Sequence, residues 1–166
     1  MAEMELKKYK MEDLLLTAMK AEVDAQKVYR GLADRVKNAM LKDRLSFLAG
    51  EEEKHRAYFE AQFHKDFPAR KICLPEKGVV PLPEVKLEGE DTPLSRVLEE
   101  AMAAELAAYD FYRGIAGLYA DEATRNMIFY VASMEMGHYR LLEIERDNAE
   151  RFEVFEVSWP DVHVGP

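Results

Sequence analysis

AGEEEKH at residues 49–55 and ASMEMGH at residues 132–138 share one feature, a glutamate followed three positions later by a histidine: Glu52 with His55, and Glu135 with His138. Residues three apart on a helix are neighbours on one face, with Cβ atoms about 5–6 Å apart, so each pair can aim at a single spot. The two pairs lie 83 residues apart, and the same offset carries much of the first half of the chain onto the second. Leu15, Ala18, Met19, Ala21, Glu22, Ala25, Tyr29, Arg30, Gly31 and Ala33 become Leu98, Ala101, Met102, Ala104, Glu105, Ala108, Tyr112, Arg113, Gly114 and Ala116. Helix-forming residues coincide by chance. A register that also keeps Glu, His, Tyr, Arg and Gly does not, so the chain is two copies of one unit with an approximate two-fold axis at its centre.

Working outward, four segments have helical periodicity, over about Glu12 to Val36, Met40 to Phe63, Leu94 to Tyr119 and Glu122 to Asn148. Asp121 is placed to cap the fourth, and Thr92-Pro93 is a start signal for the third. Short breaks join the first segment to the second and the third to the fourth, which predicts two antiparallel hairpins. Between them lies a stretch over about 67–92 containing Pro68, Pro75, Pro81 and Pro83. So long a connection needs a structural task, and spanning a helix pair, about 35–40 Å at 1.5 Å per residue, supplies one. The expected fold is all-α: a four-helix bundle over residues 1–150, two hairpins joined by one long crossover. Phe152, Val154 and Val157 alternate with polar neighbours, so residues 151–166 are expected to form an extended C-terminal tail packed on the bundle.

Each hairpin offers a further carboxylate, Glu22 and Glu105, 30 residues before Glu52 and Glu135 respectively. Four carboxylates and two imidazoles on four helices form the donor set of dinuclear metal sites. The candidate metal ligands are therefore Glu22, Glu52, His55, Glu105, Glu135 and His138. Glu51 and Glu53 map onto Met134 and Met136, so they are read as a solvated face. Ala21, Val23, Ala49, Ala104, Leu106 and Ala132 flank the ligands, which points to burial. Buried carboxylates without a cation would be forced to protonate, whereas two divalent ions neutralise four of them. Oxygen and imidazole donors suit iron or manganese, and bridging carboxylates hold such ions about 3.5–4 Å apart. Tyr29 and Tyr112 fall two turns after Glu22 and Glu105 and are candidates to hydrogen-bond the ligand carboxylates. His64 and His163 lie outside the pattern.

Composition bounds the rest. The chain has 166 residues, 48% hydrophobic and 33% charged, with a net charge of −9. That charge argues against nucleic acid and anionic membrane as partners, since both demand clustered cations. Cys73 is the only cysteine, which excludes an internal disulfide and a Cys-rich metal site. The charged N-terminus and the lack of a long apolar run predict a cytoplasmic protein.

Ala21-Glu22, Glu52-x-x-His55, Ala104-Glu105 and Glu135-x-x-His138 resemble the rubrerythrin branch of the ferritin-like superfamily, over both hairpins. The resemblance implies a left-handed bundle, two iron ions per chain and reduction of hydrogen peroxide in oxidative-stress defence. Its alternative is ferrous-iron oxidation with dioxygen, in iron handling or storage. It also implies a homodimer or larger homo-oligomer. Two departures from the family pattern stand out. The paired Cys-x-x-Cys motifs of a rubredoxin domain are missing from this sequence, which implies a separate electron-donor protein such as a rubredoxin. The extra glutamate usual three residues after the third-helix ligand is Ala108 here.

Overall fold

The computed structural model describes residues 5–87 and 92–158, with residues 153–158 described by backbone alone. A single 3₁₀ turn, Leu6–Lys8, precedes four α-helices: α1 (Met11–Arg35), α2 (Ala39–Asp66), α3 (Leu94–Ala116) and α4 (Glu122–Ser158). No strand occurs among the described residues. Asn38 caps α2 by accepting from the Leu41 N–H at 3.0 Å, and Asp121 caps α4 by accepting from the Thr124 N–H at 2.9 Å. Pro93 stands immediately before α3, where a missing N–H costs nothing.

α1 packs along α2 and α3 along α4, while α1 and α3, like α2 and α4, meet only sparsely. The unit of packing is therefore the hairpin, as the short breaks predict. The apolar core falls into two clusters. One gathers Leu14, Leu15, Phe59, Phe63, Phe111, Ile115 and Ile128, and the other Leu32, Leu45, Leu48, Leu98, Met102 and Leu142. The crossover touches both: Val80 is buried in the first, and Val85 and Leu87 pack against the second. It thus runs along the bundle as the length argument requires.

Two close approaches tie outlying segments to the helices. Leu6 seats on Gly114 and Leu87 on Gly31, and a Cβ at either glycine would come within 2.6 Å of the leucine. These glycines are repeat mates, so each half of the bundle receives one leucine from outside its helices. The crossover is held again at Thr17, whose Oγ1 accepts from the Val79 N–H at 3.0 Å.

The expected extended tail is corrected over residues 151–158, where α4 continues as helix to Ser158. After Gly137 no glycine or proline interrupts the chain before Pro160, and the β-branched valines lower helix propensity by only a few tenths of a kcal/mol each. Phe152 stands 68% exposed, so the alternation that suggested a strap buries no described side chain. The remainder of that tail, residues 159–166, lies outside the described residues. No helix of the described residues is long and apolar enough to cross a membrane.

The Thr17 clamp is testable. A Cβ on Gly78 would sit 2.5 Å from Thr17 Cγ2, on a buried, β-branched side chain whose Oγ1 is held by the Asp13 carbonyl and the Val79 N–H. Gly78→Ala should lower unfolding stability by about 1–2 kcal/mol, and Thr17→Ser in the same chain should restore most of it by removing that methyl. Urea denaturation of the two single variants and the double variant measures the coupling.

Candidate metal centre

Between the two apolar clusters lies a polar layer. Glu22, Glu52, His55, Glu105, Glu135 and His138 are each 5% exposed or less, and the structure brings all six together. They come from the middle of their helices, where the backbone is fully hydrogen-bonded and rigid. Ala49 and Ala132, buried three residues before Glu52 and Glu135, leave space for the longer polar side chains.

The geometry sorts the carboxylates. His55 Nδ1 lies 2.7 Å from Glu135 Oε1, 3.3 Å from Glu52 Oε2 and 3.7 Å from Glu22 Oε2. His138 Nδ1 lies 3.1 Å from Glu52 Oε1, 3.4 Å from Glu135 Oε2 and 3.7 Å from Glu105 Oε2. Glu52 and Glu135 thus present one oxygen to each histidine and lie between them. Glu22 and Glu105 each serve only the histidine of their own hairpin. The two rings stack with centroids 5.4 Å apart.

The tyrosines complete the arrangement across the hairpins. Tyr29 of α1 donates to Glu105 of α3, and Tyr112 of α3 donates to Glu22 of α1. Each terminal carboxylate is therefore held by the opposite half of the repeat. Burial first, and the neighbouring glutamate second, keep both phenols well above their ordinary pKa, so they remain donors.

The electrostatics show what this layer lacks. Burial, with the charge of Glu52, pushes Glu22 up to about 8, and burial with Glu22 and Glu105 does the same to Glu135. Burial alone would lower both imidazoles, but the facing carboxylates outweigh it: His55 is pushed up to about 12, and His138 is also raised. Burial would raise Glu105 too, yet His138 holds it below the ordinary value. Protons are being drawn in to supply positive charge.

A cation fits the same residues. Glu52 Oε1 and Oε2, His55 Nδ1, Glu135 Oε1 and both nitrogens of His138 are buried and make no well-aligned hydrogen bond, although the carboxylate oxygens and the Nδ1 atoms face one another across the layer; a cation between them would satisfy these atoms together. One donor atom from each of Glu52, His55, Glu135 and His138 lies within 4.8 Å of the others, a grouping able to hold a metal ion. The oxygen and imidazole donors match iron or manganese.

Some features near the site are not legible in local spacing. Glu51 is not on a solvated face: it is buried and paired with Lys54 at 2.5 Å. Its neighbour Glu53 is the more exposed residue and accepts from Gln26 and Arg56. Glu145, buried on α4, pairs with Arg44 of α2, 101 residues away, and no local pattern announces it. His64 is exposed and apart from the site, as expected, while His163 lies outside the described residues.

Comparison with known proteins places the bundle. The chain is similar to a hypothetical protein from Pyrococcus furiosus, with 28% identity and a TM-score of 0.81 over 89% of this chain and 95% of that one. It shares its fold with a putative ferritin-like diiron-carboxylate protein from Thermotoga maritima, at 19% identity and a TM-score of 0.70, over 84% of this chain and 95% of that one. No curated protein matches it. The model of the rubrerythrin family matches residues 13–145, which spans both hairpins and the whole polar layer, so the chain belongs to the rubrerythrin family.

Proposed function

We propose that this protein is a non-haem diiron oxidoreductase that reduces hydrogen peroxide. The observation that carries the reading is the buried layer in which Glu52 and Glu135 each face both histidines without a well-aligned hydrogen bond. Glu22, Glu52 and His55 would hold one iron ion together with Glu135, and Glu105, Glu135 and His138 the other together with Glu52. The bound pair would supply two electrons at once for cleavage of an O–O bond.

The chain's own residues do the rest. Glu52 and Glu135 are positioned to be shared by both ions. Tyr29 and Tyr112 fix the orientation of Glu105 and Glu22, each by a phenol that keeps its proton. The apolar clusters pack on either side of the polar layer along the bundle. Family membership and the diiron-carboxylate description of the Thermotoga maritima protein support iron as the metal.

Each turnover consumes two electrons. Cys73 is exposed and is the one thiol in this sequence, so it cannot supply a four-thiolate iron centre. We therefore propose a separate electron-donor protein of the rubredoxin kind. We also propose a homodimer or larger homo-oligomer, in keeping with exposed Phe47 on α2 and Ile144 on α4.

Three outcomes are expected. Protein loaded with ferrous iron should carry close to two ions per chain by metal analysis, and His55→Ala or His138→Ala should lose about one each. Retention of both ions in either variant would sink the assignment.

Chelation should lower the melting temperature, and the metal-free protein should become less stable as pH rises. The sign follows from the shifts. Glu22 and Glu135 have folded values near 8 against 4.5, so the stability their retained protons provide is present below about 4.5 and lost as pH rises through 8. The raised histidines act in the same direction, and Glu105, lowered from 4.5, changes the stability only below this range. Melting curves in chelator between pH 5 and 8.5 measure the slope, and a stability that climbs with pH would contradict it.

Anaerobically reduced, iron-loaded protein should be oxidised at least about 10-fold faster by hydrogen peroxide than by equimolar dioxygen. Faster oxidation by dioxygen, with ferric mineral accumulating, would favour iron oxidation and storage instead.

A further inference from the structure

A cavity of about 780 Å³ lies between α1, α3 and the crossover, where the two helices barely touch. The helices contribute alanines to it: Ala21, Ala25, Ala101, Ala104 and Ala108. The crossover contributes Val80, Pro81, Leu82, Pro83, Val85 and Leu87. At its buried end stand Glu22, Glu52, Glu105 and Glu135 with Tyr29 and Tyr112, so it opens directly onto the polar layer.

The covering segment is anchored at both ends. Val79 bonds to Thr17 at 3.0 Å, and Arg35 Nη2 donates to the Leu87 carbonyl at 3.0 Å while Leu87 rests on Gly31. Side chains of one carbon on α1 and α3 leave a space that this fixed roof does not fill.

Hydrogen peroxide needs little of that room, since a water occupies about 30 Å³ in the liquid and hydrogen peroxide is only slightly larger. Cavities of about 300–1,000 Å³ with apolar walls and a few polar groups at one end suit organic molecules. Away from the four glutamates that would hold the metal ions, the charged lining residues balance: Lys20, Lys27 and Lys77 are matched by Asp24, Glu76 and Glu84. The cavity therefore selects neither an anion nor a cation, but an uncharged molecule with an apolar body and a polar head.

Resting on the peroxide-reducing function above, we infer that the chamber takes organic hydroperoxides, with the apolar group against the alanines and the hydroperoxide at the polar layer. In the reaction the O–O bond breaks. Two electrons, which a bound and reduced metal pair would supply, and two protons from solvent would convert ROOH to the alcohol ROH and water, and the donor protein would restore the electrons.

The test uses iron-loaded protein and cumene hydroperoxide. Anaerobic stopped-flow should show the reduced protein oxidised by cumene hydroperoxide at least as fast as by hydrogen peroxide. Calorimetry should show saturable binding of the product alcohol, 2-phenyl-2-propanol, to the oxidised protein. Ala25→Phe, and separately Ala108→Leu on the opposite helix, should weaken alcohol binding and lower the ratio of cumene to hydrogen peroxide rates by about 10-fold or more. Metal content and melting temperature check that each variant is folded.

Oxidation by hydrogen peroxide with no alcohol binding, or with a ratio indifferent to both variants, would overturn the chamber and leave the peroxide-reducing function standing. Oxidation by neither peroxide would overturn both.

Discussion

Four carboxylates cannot be buried together in an apolar bundle unless positive charge is buried with them. Taking an isolated ion out of water costs several kcal/mol even after the surroundings relax. In this bundle the constraint is met by two histidines and, when no metal is bound, by protons drawn onto Glu22 and Glu135. The rest of the architecture follows from accommodating that layer. It divides the core into two apolar clusters and requires long helices, so that each cluster retains enough buried surface to hold the hairpins together. It also calls for alanine around the charged residues, because four glutamates and two imidazoles need the volume that larger neighbours would occupy.

Repetition is how this sequence satisfies the constraint economically. A single Glu-x-x-His pair supplies one imidazole and too few oxygens. Two pairs related by an approximate two-fold axis supply two equivalent sets of oxygen and imidazole groups and let Glu52 and Glu135 sit where the sets meet. The same symmetry explains the glycines. Gly31 and Gly114 occupy matching places, and each gives up its side chain to admit a leucine from a segment outside the four helices. Removing a side chain from a helix is unfavourable by about 1 kcal/mol, and burying a leucine offsets that.

Much of this was legible beforehand because it is periodic. The helices, their pairing and the six polar residues all follow from the three-residue spacing and the 83-residue offset, both of which depend only on local geometry and repetition. What escaped is what depends on packing between distant segments. The alternation of Phe152, Val154 and Val157 looked extended, yet α4 runs on because nothing interrupts it. The offset separated Glu51 from Glu52, and Glu52 is the one that faces the two histidines, but correspondence with a methionine says nothing about exposure, and Glu51 is buried beside Lys54. The small residues beside the glutamates signalled burial. That those of α1 and α3 also leave a cavity became visible only once the crossover was seen fixed above them.

The exchanged tyrosine bonds bear on how such a chain could arise. Tyr29 holds a glutamate of the second half and Tyr112 a glutamate of the first, so neither hairpin contains its own support. A lone hairpin would carry a carboxylate with no phenol to orient it and a phenol with nothing to hold. Two copies meeting face to face would satisfy both needs at once. An ancestral gene half this length would therefore have had to work as a symmetric dimer, and the crossover is the kind of segment that tandem duplication and fusion would add to make that partnership permanent.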